Sequence, residues 1–263
     1  NAVEETQKRG LNRAEHRLHL RCELPHHTTL PLFEKLVGRE PVSLVSLMDH
    51  SPGQRQFANI EKYREYYQGK YSLSDAEMAR YEEEQLALAA RWSQPNRVRI
   101  AAMCRDRNIA LASHDDATHD HVLESHQLGS VIAEFPTTFE AAEASRKHGM
   151  NVLMGAPNIV RGGSHSGNVA ASRLASLGLL DILSSDYYPA SLLDAAFRVA
   201  DDEGNRFTLP QAIRLVTKNP ASALNLQDRG EIAEGKRADL VLAHRRGEHV
   251  HIDHVWRQGK RVF

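Results

Sequence analysis

Along this chain, short apolar runs stop repeatedly at a histidine or a carboxylate, and stretches of helical periodicity separate them. The clearest run is IALASHDD at 109–116. Strand alternation puts Ala110, Ala112 and His114 on one face and Ile109, Leu111 and Ser113 on the other, so the face with the histidine is otherwise built of tiny side chains. Such a face suits a crowded barrel interior. Upstream, Leu18, Leu20 and Cys22 alternate with His19, Arg21 and Glu23, giving a strand that is apolar on one side and polar on the other. That pattern fits either an exposed edge or the wall of a barrel mouth with Glu23 at its carboxyl end. PVSLVSLM ends in Asp49 and His50 before a Pro-Gly turn, SVIAEFP carries Glu134, NVLMGAPN ends in Asn158, and LDILSSDYYP reaches Asp186.

Helical segments fall between these runs. They are expected at 2–14, 30–37, 57–108, 119–127, in TFEAAEASRKHG, after RGGSHSGN as far as Ala175, and at 191–202 and 209–226. Ser74 and Glu77 have the spacing of a capping box, and the tyrosines at 63, 66, 67 and 71 read as packing. Strands alternating with helices imply parallel pairing by right-handed crossovers. The architecture expected is α/β, a (β/α)8 TIM-like barrel. An open doubly wound sheet would hold its outer strand ends far apart, whereas a barrel brings all of them to one mouth. Roughly six strand-helix units are visible against the eight of a barrel. The chain begins at Asn1 without a methionine, so the first two strands are expected to precede it. From Gly230 the texture changes to alternating strands joined by Gly-containing turns, too short to fold alone. The domains expected are therefore a barrel at 1–228 and, at 229–263, the C-terminal strands of a small β-sandwich.

Composition narrows the function. Lys and Arg total 33 against 34 Asp and Glu, so no global field favours nucleic acid or an anionic membrane. No apolar run is long enough to span a bilayer, and no signal peptide is visible. Cys22 and Cys104 are isolated, which argues against a disulfide framework and a cysteine zinc site, and a reducing cytoplasm is the expected compartment. The unusual count is 15 histidines, histidine being the commonest metal ligand and general base.

TKNPASALNL, followed by GEIAEGKRADLVL and QGKRVF, resembles the C-terminal signature of the amidohydrolase superfamily, in which a metal-bearing barrel is joined to a β-sandwich built from both termini. HLRCEL, LMDHSPGQRQF, SHDDATHDH, AEFPTTFEAA, GAPNIVRGGSHSGN and SSDYYP extend the likeness along nearly the whole chain, toward a branch that hydrolyses a phosphorylated sugar. The resemblance implies Glu23 as the carboxylate ligand, His114 as the fifth-strand imidazole, and Asp186 as the eighth-strand aspartate, both ligand and general base. The sixth strand departs from the pattern, with Glu134 where a histidine is expected, and His50 is the substitute ligand proposed for it. Carboxylate and imidazole ligands suit Zn²⁺ or Mn²⁺, one or two ions, and such an ion can lower the pKa of water toward about 7. A triphosphate substrate also needs donors, for which Arg161, Gly162, Gly163, Ser164 and His165 are candidates, with Arg55 as a second cation.

The expected reaction is hydrolysis within a sugar 5-triphosphate that releases pyrophosphate, in phosphonate catabolism. One rival is an amidohydrolase acting on a C–N bond, such as a deacetylase or cyclic amidase. Another is a catalytically dead scaffold, which the carboxylate, imidazole and aspartate set argues against. The expected partner is the small-molecule substrate, with no nucleic acid and no membrane, and a homo-oligomer is left open.

Overall fold

The structure, a computed structural model, describes residues 1–263 apart from Ala58, His165, Ser166 and Glu248. In chain order the elements begin α1 (Ala2–Lys8), β1 (Leu18–Glu23), α2 (Thr29–Leu36), β2 (Val42–Met48), α3 (Ile60–Tyr71), α4 (Asp75–Asp106), β3 (Ala110–His114), α5 (His119–Gln127), β4 (Ile132–Glu134) and α6 (Phe139–Lys147). They continue with β5 (Asn151–Gly155), α7 (Ala156–Arg161), α8 (Ala171–Ser176), β6 (Ile182–Ser184), α9 (Ser191–Asp201), α10 (Leu209–Arg214) and α11 (Lys218–Ala223), then β7 (Leu240–Arg246), β8 (His249–Arg257) and β9 (Lys260–Arg261). The chain forms two compact units: His19–Met150, and Asn1–Leu18 with Asn151–Phe263.

In the first unit the strands lie in the order β1-β2-β3-β4. β2 pairs parallel with β3, and β3 pairs parallel with β4 in the register that sets His114 opposite Glu134. The helices after β3 and β4 begin in the same way, with a threonine that caps them. Thr118 accepts the N–H of His121, and Thr138 accepts that of Ala141. The same two loops are tied to each other, because Thr137 N–H donates to Asp116 O (2.9 Å) and Thr138 Oγ1 donates to Ala117 O (2.7 Å). Alanines let the helices approach the sheet closely: Ala133, Ala141 and Ala144 pack with Val122 and Met150 in one buried cluster. The strand ends that carry His114 and Glu134 are thus held by a rigid frame.

The long helical region expected at 57–108 is broken. Ser72 adopts a left-handed conformation (φ 56°) that ends α3, and the Ser74–Glu77 capping box starts α4. Tyr63 is buried beside Phe57 and Met78, with Tyr67 and Tyr81 against them, so Tyr63 and Tyr67 pack as expected, whereas Tyr66 and Tyr71 are exposed. The helix expected at 2–14 stops at Lys8, the segment expected at 209–226 divides into α10 and α11, and Asn158 lies in α7 and not at a strand end. Pro157 in the first turn starts that helix immediately after Gly155.

In the second unit β5 pairs parallel with β6. β7, β8 and β9 form a three-stranded antiparallel sheet, as the alternation from Gly230 implies. Glu15 joins the N-terminal segment to this unit by ion pairs with Arg17, Arg229 and Arg237. Burial alone would raise the Glu15 carboxyl, but the guanidinium groups of Arg237 and Arg229 outweigh it and hold it at about 2, down from 4.5. A depressed carboxyl adds stability that is present above its unfolded pKa and lost as pH falls toward the folded one. Glu15→Gln is therefore expected to be less stable than the parent at pH 7, with the difference shrinking as pH drops from about 4.5 toward 2. Urea midpoints measured across that window check this, and a difference that does not vary with pH would count against it.

Candidate metal centre at the strand ends

The polar face of β1 supplies three residues to one cluster in the first unit. Glu23 Oε1 accepts the backbone N–H of His50 (3.0 Å), and Glu23 Oε2 is bonded to His50 Nδ1 (2.6 Å). Both oxygens of Glu23 therefore serve to orient His50. On the next strands, His114 Nδ1 bonds Glu134 Oε2 (2.8 Å), and the same oxygen accepts from Ser46 Oγ (2.7 Å). His19 Nε2 contacts Ser46 Oγ, which extends the chain of polar groups back to β1. An ionised carboxylate can only accept, so His114 Nδ1 carries a proton and its Nε2 is left with a lone pair in the neutral ring. Glu134 stays ionised although it is buried, because His114, His19 and Ser46 overcome the desolvation that would raise its pKa.

Asp115 completes the cluster. One ligand atom from each of His50, His114 and Asp115 lies within 4.8 Å of the others. Asp115 Oδ2 is 3.4 Å from His114 Nε2 and 3.7 Å from His50 Nε2. Donors bound to one ion at roughly 2.0–2.2 Å in a tetrahedral arrangement sit about 3.3–3.5 Å apart, so these three fit a divalent cation with small adjustments. For His50, burial works against the charged ring, but hydrogen bonds to Asp115 and Glu23 prevail and raise its pKa to about 9. The carboxylates thus call for positive charge between them, which an imidazolium provides and a divalent cation would provide more strongly.

Asp115 and Phe135, which directly follow β3 and β4, have positive φ (56° and 57°), and so does Asp186 (49°) beyond β6. Such backbone costs on the order of 1 kcal/mol or more for a residue other than glycine, and it gathers at functional sites. The turn at Asp115 directs the two neighbouring carboxylates differently. Asp115 faces the imidazoles, whereas Asp116 is ion-paired to Arg55.

Arg55 is a correction to the sequence reading. It is 2% exposed, its partners are Asp116 and Glu124 (3.0 Å), and burial pushes its guanidinium down to about 10. Arg97 extends the network to Glu124 (3.2 Å) and Asp49 (3.5 Å). A guanidinium enclosed in this way has no face to offer a phosphate. Asp49 likewise belongs to this layer, accepting also the Ser51 N–H (3.1 Å).

The remaining candidates lie in the second unit. Asp186 is exposed, and a Cβ on Gly155 would come within 3.3 Å of its Oδ2, so glycine at 155 leaves the space it occupies. Arg161 ends α7 with an exposed side chain, and its Nη1 donates to the Tyr187 hydroxyl (3.1 Å). The glycines after it are a second correction. Gly162 N–H donates to Ile159 O (3.2 Å) and Gly163 N–H to Asn158 O (2.9 Å), closing α7, so neither is an anion donor. Asn158 in turn accepts the first N–H of α8, from Ala171 (2.9 Å). Ser164 follows the two glycines, and His165 lies outside the described residues.

Asp115, Ser46, His19 and Arg21 join the cluster without having been singled out as candidates from the sequence. The alternation on β1 already grouped His19 and Arg21 with Glu23, and SHDD showed Asp115. Nothing local distinguished Asp115 from Asp116.

The chain is 89% identical over all of its 263 residues to the alpha-D-ribose 1-methylphosphonate 5-triphosphate diphosphatase of Escherichia coli (strain K12), of which it spans 70%. It is 36% identical over 110 residues to an adenine deaminase of Ligilactobacillus salivarius (strain UCC118), covering 40% of this chain and 18% of that protein. A zinc-bound adenosine deaminase structure from Xanthomonas campestris matches at 17% identity with a TM-score of 0.49, over 88% of this chain and about half (54%) of its own. The amidohydrolase family model matches residues 13–263, which together with the parallel α/β strands and the small C-terminal antiparallel sheet places the chain in the amidohydrolase family, of TIM-like barrel type.

Proposed function

We propose that this chain carries out metal-dependent hydrolysis of α-D-ribose 1-methylphosphonate 5-triphosphate, releasing pyrophosphate and leaving the 5-phosphate. The observation that carries the reading is 89% identity, over all 263 residues given, to a diphosphatase of that name. The cluster of His50, His114 and Asp115 supports it by offering a divalent ion two imidazoles and a carboxylate, a set suited to Zn²⁺ or Mn²⁺. Glu23 and Glu134 orient the two imidazoles from behind. When bound, the ion polarises a phosphoryl oxygen and acidifies water. Asp186 is assigned to accept the proton of the attacking water and return it to the leaving group, on the family resemblance of SSDYYP. Arg161 is assigned to the outer phosphates, where its exposed guanidinium can pair with phosphate oxygens. Among the described residues no helix is long and apolar enough to cross a membrane. Cys22 and Cys104 are buried free thiols pushed up to about 12, in keeping with a reducing cytoplasm.

The local 36% identity to an adenine deaminase favours one competing reading, hydrolysis of a C–N bond. Turnover in ¹⁸O-labelled water separates the two. The diphosphatase should put label in a phosphate product and none on a sugar carbon, whereas turnover of amide or amidine substrates with no pyrophosphate from the triphosphate would sink our reading.

Glu134→Gln keeps an acceptor for His114 but removes the charge, and metal affinity should fall roughly 10–100-fold. Competition with a chromophoric chelator measures this, and unchanged affinity would leave Glu134 with a packing role only. Arg161→Ala should raise KM for the triphosphate more than for a substrate lacking the outer phosphates. Equal effects on both would point instead to a folding role.

A further inference from the structure

We propose that Arg21 is an anion-binding residue of the candidate metal centre, gripping phosphoryl oxygens of the polyphosphate and so selecting phosphoanhydride over amide substrates. The inference deepens the function proposed above and rests on it. Alternation along β1 puts Arg21 on the same face as His19 and Glu23, and both neighbours are anchored, to Ser46 and to His50. The backbone bond from Leu24 N–H to Met48 O (2.9 Å) ties the end of β1 to β2. Arg21 is thereby laid across the cluster: its Nε donates to Met48 Sδ (3.3 Å), and its Nη2 lies 3.1 Å from His114 Nε2.

The pairing of this arginine differs from that of Arg55 and Arg97. Those two are buried and each is matched to two carboxylates. Arg21 is exposed, and among the described residues its partners are a thioether sulfur and an imidazole nitrogen, with no carboxylate in ion-pair range. A guanidinium has five N–H donors in a planar fork, and these two contacts occupy only part of it. The partner that completes the fork is an oxyanion with two oxygens about as far apart as those of a carboxylate or phosphate. His114 Nε2 is also a donor atom of the candidate metal site, so a cation bound there would displace the Arg21 contact and leave the guanidinium beside it, within reach of an anion drawn to that cation. A neutral amide has one carbonyl oxygen and no charge, and it would leave the guanidinium largely unmatched.

The test uses the metal-loaded protein and inorganic pyrophosphate as probe, with binding followed by calorimetry and metal content by elemental analysis. Arg21→Gln should weaken pyrophosphate binding about 10-fold or more while metal stoichiometry stays at the parent value. Arg21→Lys should fall between the two, since it keeps the charge and loses the fork. In turnover, Arg21→Gln should lower kcat/KM for the triphosphate. Parent-like pyrophosphate affinity in both variants would overturn the proposal. So would tighter metal binding with pyrophosphate binding unchanged, because Arg21 would then only stand in for the cation at His114. If the parent releases no pyrophosphate yet its pyrophosphate binding still depends on Arg21, the reaction assigned above fails and the anion site stands.

Discussion

The carboxylate of Glu134, buried at the end of β4, sets the geometry of what surrounds it. An unpaired carboxylate removed from water costs several kcal/mol, so the fold must bring donors to it. Parallel pairing does so directly. The register that sets His114 opposite Glu134 brings Nδ1 to 2.8 Å, and Ser46 from the adjoining strand reaches the same oxygen at 2.7 Å. With Nδ1 spent on this bond, the His114 ring cannot turn without leaving a buried charge unmatched. Its Nε2 is therefore fixed in direction. Glu134 thus acts by aiming a neighbouring histidine.

A second charged layer lies beside the first and does different work. Arg55, Asp116, Glu124, Arg97 and Asp49 form a linked set that is mostly enclosed. Removing one member of such a network typically costs about 3–5 kcal/mol, since the remaining partner keeps its charge without compensation. The boundary between the layers falls between two consecutive aspartates. The left-handed turn at Asp115 gives one carboxylate to the imidazoles and leaves the next to Arg55. This arrangement commits Asp116 to the Arg55 guanidinium and leaves the Asp115 oxygen facing His50 and His114.

Much of this was legible in the sequence. Period-two alternation with polar residues at strand ends located β1 to β6 and brought Glu23, His50 and His114 forward, because side-chain direction in a strand follows from position alone. What alternation cannot convey is a turn or a partner from far along the chain. The separation of Asp115 from Asp116 depends on a backbone φ, not on residue type. Arg55 follows a Pro-Gly turn and reads as a surface cation, but Glu124, 69 residues later, takes part in enclosing it. RGG reads as a phosphate loop because glycine N–H groups serve that use, yet here the N–H groups of Gly162 and Gly163 finish α7, a helix too short to announce itself by periodicity. The same limit explains the break at Ser72, where a single left-handed residue divides a region that is helical in composition throughout.

The metal machinery of this family does not by itself decide which bond is broken, since a Lewis acid and an activated water serve phosphorus and carbon alike. The choice must lie in groups that meet the rest of the substrate. A triphosphate brings several negative charges to a centre where Glu23 and Glu134 already bond the imidazoles (2.6 and 2.8 Å) and Asp115 lies 3.4 Å from His114, and their field would repel it. The cations of the ionic layer cannot offset this, because Arg55 and Arg97 are buried and each is paired to two carboxylates of its own. On the face that carries the candidate ligands, the guanidinium left over among the described residues is that of Arg21, on the polar side of the first strand. The pattern of His19, Arg21 and Glu23, which as a bare sequence fits an exposed edge equally well, thus acquires a reason. One strand face supplies an anchor to Ser46, a clamp on His50 and, between them, a cation aimed at the place where charge would arrive.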